Sequence, residues 1–237
     1  MALPFFYKED ISTASKEIIL DEATSKHIVQ VLRMQKGEQV QLTNGKGHLF
    51  TCAITDDNRK KCAVKINASQ LVNAPAKKVS IAISPLKNAN RFEWFLEKAT
   101  ELGVTKIIPL VCKRTEKDQL KEERMKGILV SALLQSQQAW LPEMQAPVKF
   151  EQWLRKSTPN KQSFIAHCLE DDSKKNLVDA IDNSSAEKII LIGPEGDFTK
   201  EEIDAALAAG YIPVSLGNTR LRTETAAITA AVLLCQI

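Results

Sequence analysis

The chain has 237 residues, 44% of them hydrophobic and 26% charged, with a formal net charge of +3. That length holds one large domain or two smaller ones, and the apolar share is enough for a sizeable core. No apolar run reaches membrane-spanning length, residues 1–10 lack the pattern of a secretory signal, and the mild basicity permits a nucleic-acid partner without demanding one.

The first 72 residues read mainly as strands. Ile18-Ile19-Leu20 is short and apolar, and residues 38–43, 48–54 and 62–72 alternate in polarity. Asn44-Gly45-Lys46-Gly47 lies between two of these segments as a hairpin turn. One helix, over residues 22–33, presents Ile28, Val31 and Leu32 on its apolar face. Several short strands and one helix point to a small barrel over 1–72. Asn73-Ala74-Pro75-Ala76-Lys77-Lys78 reads as a linker.

Beyond the linker the pattern changes. Strands are predicted at 79–83, 106–110, 164–168, 188–192 and 212–215, and helices at 91–102, 122–138, 176–181, 200–209 and 226–237. Strands alternating with helices build a mostly parallel sheet covered on both faces. Residues 73–237 are therefore expected to form an α/β domain. Its last helix is apolar nearly all round and must be buried, either in the core or against a second chain.

Five cysteines (Cys52, Cys62, Cys112, Cys168 and Cys235) show no Cys-x-x-Cys spacing. They read as reduced thiols of a cytosolic protein. His27, His48 and His167 are scattered, so no metal is expected. Gly45-Lys46-Gly47 lacks the third glycine of a dinucleotide fingerprint and precedes a strand. With no Gly-Lys-Ser/Thr present, a P-loop is excluded.

The informative segments sit at strand ends. Gly193-Pro194-Glu195-Gly196 follows the strand at 188–192, and Thr199 with Glu202 forms a capping box for the next helix. Leu216-Gly217 ends the strand at 212–215, and His167-Cys168-Leu169-Glu170 ends the one at 164–168. Ligands of open α/β sheets bind at the carboxyl ends of strands. Three such ends in one sheet can line one pocket. Lys87, Arg91, Lys113 and Arg114 flank the expected pocket, and Arg33 ends the first helix; each is a candidate RNA contact. Trp94 and Trp140 are candidate base-stacking residues, although Trp94 lies inside an amphipathic helix.

Four segments in series carry a resemblance: His27-Ile28-Val29-Gln30-Val31-Leu32-Arg33-Met34, Lys98-Ala99-Thr100-Glu101-Leu102-Gly103-Val104, Gly193-Pro194-Glu195-Gly196-Asp197, and Leu216-Gly217 followed by Leu221-Arg222-Thr223-Glu224-Thr225-Ala226. Together they resemble the ribosomal RNA small-subunit methyltransferase E family of the SPOUT class, over nearly the whole chain. The resemblance implies a PUA-like barrel, an α/β domain with a deep trefoil knot, and a homodimer. It also implies S-adenosylmethionine-dependent methylation of N3 of one uridine in small-subunit (16S) ribosomal RNA. The cofactor is then expected against Leu169, Ile192, Gly193, Pro194, Glu195, Gly196, Leu216, Gly217, Leu221, Arg222, Thr223, Thr225 and Ala226. Arg222 is expected to stabilise charge on the uracil oxygens, with Glu224 as the base; alternatively these two pair with each other or cap the last helix. A ribose 2′-O-methyltransferase and a non-catalytic ribosome-assembly factor remain open. Two positions depart from the family pattern. Gln138 and Ala139 stand where an arginine is common, and Gly196-Asp197 replaces a double glycine.

Overall fold

Residues 3–157, 162–170 and 173–236 are described by the computed structural model. They divide into two units. One takes the chain up to Ala74 together with Leu133–Leu141, and the other takes Pro75–Ala132 and everything from Pro142 onward.

The first unit contains β1 (Phe5–Tyr7), β2 (Glu17–Ile19), α1 (Glu22–Lys26), β3 (Gln39–Thr43), β4 (His48–Asp56) and β5 (Ala63–Leu71). The five strands run β1-β3-β4-β5-β2 in a curled sheet. β1 is parallel to β3, and the other pairings are antiparallel. Alternation decides the inner face: Val40, Leu42, Phe50, Cys52 and Ile54 are all buried, and their neighbours in sequence are more exposed except Thr43, which is fully buried at the end of β3.

The predicted helical face is only partly correct. Asp21 caps α1 by accepting from the Thr24 N–H at 2.9 Å. At His27 the helix widens into one π-turn, His27–Val31, closed by the Leu32 N–H on the His27 carbonyl. The wider turn breaks the 3.6-residue period. Ile28 stays fully buried, whereas Val31 and Leu32 are 67% and 41% exposed.

The segment Leu133–Leu141 returns to this unit through the hairpin turn. The Gly47 N–H donates to the Ala139 carbonyl, and the Leu141 N–H donates to the Gly45 carbonyl. The Trp140 ring lies where a Cβ on Gly47 would be, and Gly47 has φ +87°. The Trp140 indole N–H is shared by the carbonyls of Val72 and Asn73, at 3.2 and 3.1 Å. This indole is therefore a structural plug.

The second unit contains β6 (Lys78–Ile83), α2 (Ala89–Leu102), β7 (Lys106–Val111), α3 (Glu122–Gln135), β8 (Glu143–Met144), β9 (Val148–Lys149) and α4 (Phe150–Lys156). There follow β10 (Ser163–Ala166), β11 (Lys175–Asn176), α5 (Leu177–Ala180), β12 (Glu187–Ile192), α6 (Lys200–Ala208), β13 (Ile212–Ser215) and α7 (Thr223–Gln236). α3 ends within the segment assigned to the first unit. The sheet order is β11-β13-β10-β12-β6-β7-β8, with β9 also on β7, and every pairing is parallel. All carboxyl ends therefore lie along one edge. Ile81, Ile107, Phe164, Ile190 and Val214 fill the middle of the sheet at zero exposure, as continuous apolar strands require. α2 buries Phe92, Phe95, Leu96 and Ala99, and it stops at Gly103, whose φ of +89° suits glycine.

α7 begins at Thr223, three residues earlier than predicted, and the predicted terminus Ile237 lies outside the described residues. Thr223 and Glu224 consequently sit in its first turn, buried. α7 packs on α2, β6 and β12, but it is not covered all round within the chain: Val232 is 39% exposed. No helix among the described residues is long and apolar enough to cross a membrane.

Candidate functional site

Two clefts open at the carboxyl edge of β10, β12 and β13. One, of about 360 Å³, is lined by Ala166, His167, Cys168, Lys174, residues 214–221 and Ala226. The other, of about 430 Å³, is lined by Arg91, Ala166, Cys168, residues 192–195, Asp197, residues 220–223 and Ala226. They share Ala166, Cys168, Arg220, Leu221 and Ala226, so the loop after β10 and the start of α7 belong to both. Together they are large enough for a drug-sized ligand and a second ring.

Hydrogen bonds hold the walls. Ser84, directly after β6, donates its backbone N–H to the Ile192 carbonyl at 3.0 Å, and its hydroxyl meets that of Thr115 at 2.7 Å. The loop at 193–198 is tied from three sides. Arg114 Nη1 donates to the Gly196 carbonyl at 2.6 Å, Glu195 Oε1 accepts the Lys87 N–H at 3.3 Å, and Asp197 Oδ2 accepts the Cys168 N–H at 2.8 Å. Thr199 and Glu202 complete the capping box of α6, and Glu202 Oε1 also accepts the Lys113 N–H at 2.7 Å. On the other side, Lys174 Nζ donates to the carbonyls of His167 and Leu169 at 2.9 and 2.6 Å. Three sequentially distant side chains, Arg114, Asp197 and Lys174, thus shape the loops from which the clefts are made.

Ile192, Gly193, Pro194 and Glu195 line the larger cleft together with Arg222 and Thr223. Leu216 and Gly217 line the smaller one, and Leu221 and Ala226 line both. Leu169 lines neither; it is 46% exposed and engaged through its carbonyl. Gly196 is likewise engaged through its carbonyl, and Thr225 is exposed on the first turn of α7.

Glu224 does not pair with Arg222. Its carboxylate is buried, with Oε1 3.6 Å from Arg91 Nε, while Oε2 has no hydrogen-bond partner among the described residues. A buried carboxylate with a half-exposed arginine at that distance is incompletely satisfied.

Among the other cations, Lys87 and Lys113 face carboxylates. Lys87 meets Glu116 at 2.7 Å, and that hydrogen bond raises its pKa; both partners are largely exposed. Lys113 Nζ lies 3.8 Å from Glu201. Arg33 is exposed in the first unit with φ +56°. Trp94 is 45% exposed on α2. Among the thiols, Cys168 is exposed, whereas burial pushes Cys52 and Cys235 up to about 11 and Cys112 higher still.

Sequence reasoning did not single out Lys174 or Arg220. Lys174 stands directly before β11, and no local pattern marks it. Arg220 lies one position before Leu221 in the quoted motif and lines both clefts. No cluster of three metal-ligating side chains occurs among the described residues.

Comparison with known proteins agrees with this architecture. A family model described as an RNA methyltransferase domain matches residues 73–235, and one described as an RNA methyltransferase PUA domain matches residues 20–67. The chain is 31% identical over 217 residues to a ribosomal RNA small subunit methyltransferase E from Synechocystis, covering 90% of this chain and 71% of that protein. A probable rRNA-methyltransferase from Porphyromonas gingivalis superposes with a TM-score of 0.88 at 34% identity, covering 99% of this chain and 100% of the other. A putative methyltransferase from Legionella pneumophila, solved in complex with the bound cofactor SAM, gives 0.85 at 30% identity over 99% and 97%.

Proposed function

Because the chain belongs to the ribosomal RNA small subunit methyltransferase E family, we propose that it uses S-adenosylmethionine to methylate N3 of one uridine in 16S ribosomal RNA. The observation that carries this reading is the pair of adjoining clefts. One wall is made of strand-end loops whose charged side chains, Glu195, Asp197 and Lys174, are engaged with backbone groups, and the other carries Arg91, Arg220 and Arg222. Such a pair suits a cofactor beside an RNA nucleotide lifted from its stack.

The cofactor fits the loops. Gly217, with open space where a Cβ would stand, leaves backbone groups open to a flat ligand, and residues 192–196, 216–217 and 221–226 would hold it. Bound S-adenosylmethionine supplies an activated methyl group. The chain's own part is to position the base and manage its charge. Uracil N3 must lose a proton, and negative charge then spreads to the ring oxygens. Arg222, exposed at the larger cleft, is suited to stabilise that charge. Glu224 is buried beside Arg91 and lines neither cleft, so it is better placed to hold the Arg91 side chain than to accept the proton. Arg91 and Arg220 are suited to meet phosphate, and Arg33 would add a contact from the PUA-like unit. Lys87, Lys113 and Arg114 were candidates for the same task. Arg114, turned onto Gly196, is better placed to hold the loop.

Two further features belong to this reading. A trefoil knot is supported by the insertion of β12 between β10 and β6 and by the return of α7 to α2. A homodimer is supported by the incomplete cover of α7, with Val232 and Trp94 exposed on two helices that pack together. The proposed setting is the cytoplasm, where small ribosomal subunits are made, with the RNA or the assembled subunit as partner and no metal required.

The test is transfer of a labelled methyl group from S-adenosylmethionine to purified ribosomal RNA and ribosomal subunits. Label is expected on the small-subunit RNA alone. Label on the large-subunit RNA, or none on either, contradicts the proposal.

A further inference from the structure

Asp197 stands at φ +64°, one of three non-glycine residues with positive φ among those described. The left-handed region is unfavourable for most side chains but tolerated by aspartate, whose carboxylate can bond locally to backbone. Here the carboxylate does more than bond locally. Oδ1 accepts the Phe198 N–H at 2.8 Å, next in the chain. Oδ2 accepts the Cys168 N–H at 2.8 Å, 29 residues away in the loop after β10. Cys168 lines both clefts, and Asp197 lines the larger. One side chain therefore fixes the distance between the loop after β12 and the loop after β10. The opposite edge of the Cys168 loop is fixed by Lys174 on the carbonyls of His167 and Leu169. The backbone of residues 167–169 is held at an N–H by an anion and at two carbonyls by a cation.

We propose that Asp197 is a positioning residue for methyl transfer: it sets the Cys168 backbone in the geometry that receives the cofactor before the cofactor arrives. The inference rests on the reading that these clefts bind S-adenosylmethionine. Its physical basis is that affinity rises when the ordering of a loop is completed in the free protein. Hydrogen bonds to a charged acceptor are strong enough to do this.

The backbone conformation makes the test clean. Asp197→Gly removes both bonds while occupying φ +64° without steric cost. Asp197→Asn keeps one acceptor oxygen and also tolerates this φ, but its NH2 opposes one of the two N–H donors. Asp197→Ala loses the bonds and adds strain. Three readouts on the full chain are needed: thermal stability, amide hydrogen exchange at residues 168–169 without cofactor, and calorimetric affinity for S-adenosylmethionine with steady-state kinetics.

For Asp197→Gly the expected result is a melting temperature a few degrees below the parent with the chain still folded at the assay temperature, lost exchange protection at Cys168, and affinity lowered about tenfold, the scale of one hydrogen bond to a charged group. KM for S-adenosylmethionine should rise by the same factor with kcat nearly unchanged, and Asp197→Asn should fall between parent and glycine variant. Unchanged affinity in Asp197→Gly with exchange protection lost overturns the proposal. So does an affinity loss accounted for by unfolded protein at the titration temperature. If the parent itself fails to bind S-adenosylmethionine, the functional reading fails, and this role falls with it; the exchange result on the free protein tells the two failures apart.

Discussion

Gly193→Ala should cost both stability and cofactor binding, and the structure gives the size. Gly193 is buried at the end of β12. A Cβ added there would lie 3.0 Å from the Phe198 backbone nitrogen, 3.0 Å from its Cδ2 and 3.1 Å from its Cε2. Favourable carbon contacts lie at roughly 3.5–4.0 Å, so the overlap is about half an ångström or more on several atoms. Phe198 cannot retreat easily. It is 1% exposed, its ring sits 5.6 Å from that of Phe150, and its N–H is bonded to Asp197. Overpacking of this kind costs about 1–3 kcal/mol. For a chain of this length that corresponds to a melting temperature lower by roughly 2–12 °C.

Displacing Phe198 also displaces Asp197 and the loop at 193–198, so affinity for S-adenosylmethionine should fall with stability. Gly196→Ala is the control. There the new Cβ meets the Arg114 Cδ at 3.3 Å, a flexible side chain that can move aside, and the stability change should stay within about 0.5 kcal/mol. Thermal melts and calorimetric titration check both. A Gly193→Ala protein with the melting temperature and affinity of the parent, or a Gly196→Ala protein as damaged as Gly193→Ala, refutes the reasoning.

Arg222→Ala should lower turnover about a hundredfold or more, the scale of a lost transition-state donor, with melting temperature little changed because the side chain is exposed; near-normal turnover would remove Arg222 from the mechanism. Alkylation by iodoacetamide should reach Cys168 first, since burial raises the thiols of Cys52, Cys112 and Cys235. Saturating S-adenosylmethionine should slow that reaction, and equal rates with and without it would place the cofactor elsewhere. Light scattering at micromolar concentration should give twice the chain mass, and Val232→Glu, which puts a charge on the exposed side of α7, should shift the mass toward one chain. A parent protein that scatters as a monomer contradicts the dimer.

The α/β half was legible because its strands are continuous apolar runs and its helices keep a 3.6-residue period. Phe92, Phe95, Leu96 and Ala99 fall on one face in sequence and are buried together. The same period misplaced Val31 and Leu32, because a π-turn adds a residue and no composition signal marks one. β8, β9 and β11 are two residues each and carry no period at all. The return of Leu133–Leu141 to the first unit depends on a glycine, Gly47, making room for an indole 93 positions later, and such long-range complementarity has no local pattern.

At the site, the strand-end glycines and the stretch from Leu221 to Ala226 could be read because short motifs recur at the ends of parallel strands. The roles of Arg114, Asp197 and Lys174 could not, since each acts on the backbone of a segment far away or unmarked in sequence. Glu224 shows the limit in another way. Its neighbour Arg222 is the obvious partner in sequence, yet a helix that starts at Thr223 sends the carboxylate inward to Arg91.

The central claim is methyl transfer to a uracil nitrogen of small-subunit RNA, and nucleoside mass spectrometry tests it most directly. Small-subunit RNA lacking the modification, treated with the protein and S-adenosylmethionine and digested to nucleosides, should yield N3-methyluridine, with the methyl mass on the base fragment. A methyl mass on the ribose fragment, or unmodified RNA from a protein that binds both cofactor and RNA, would contradict it.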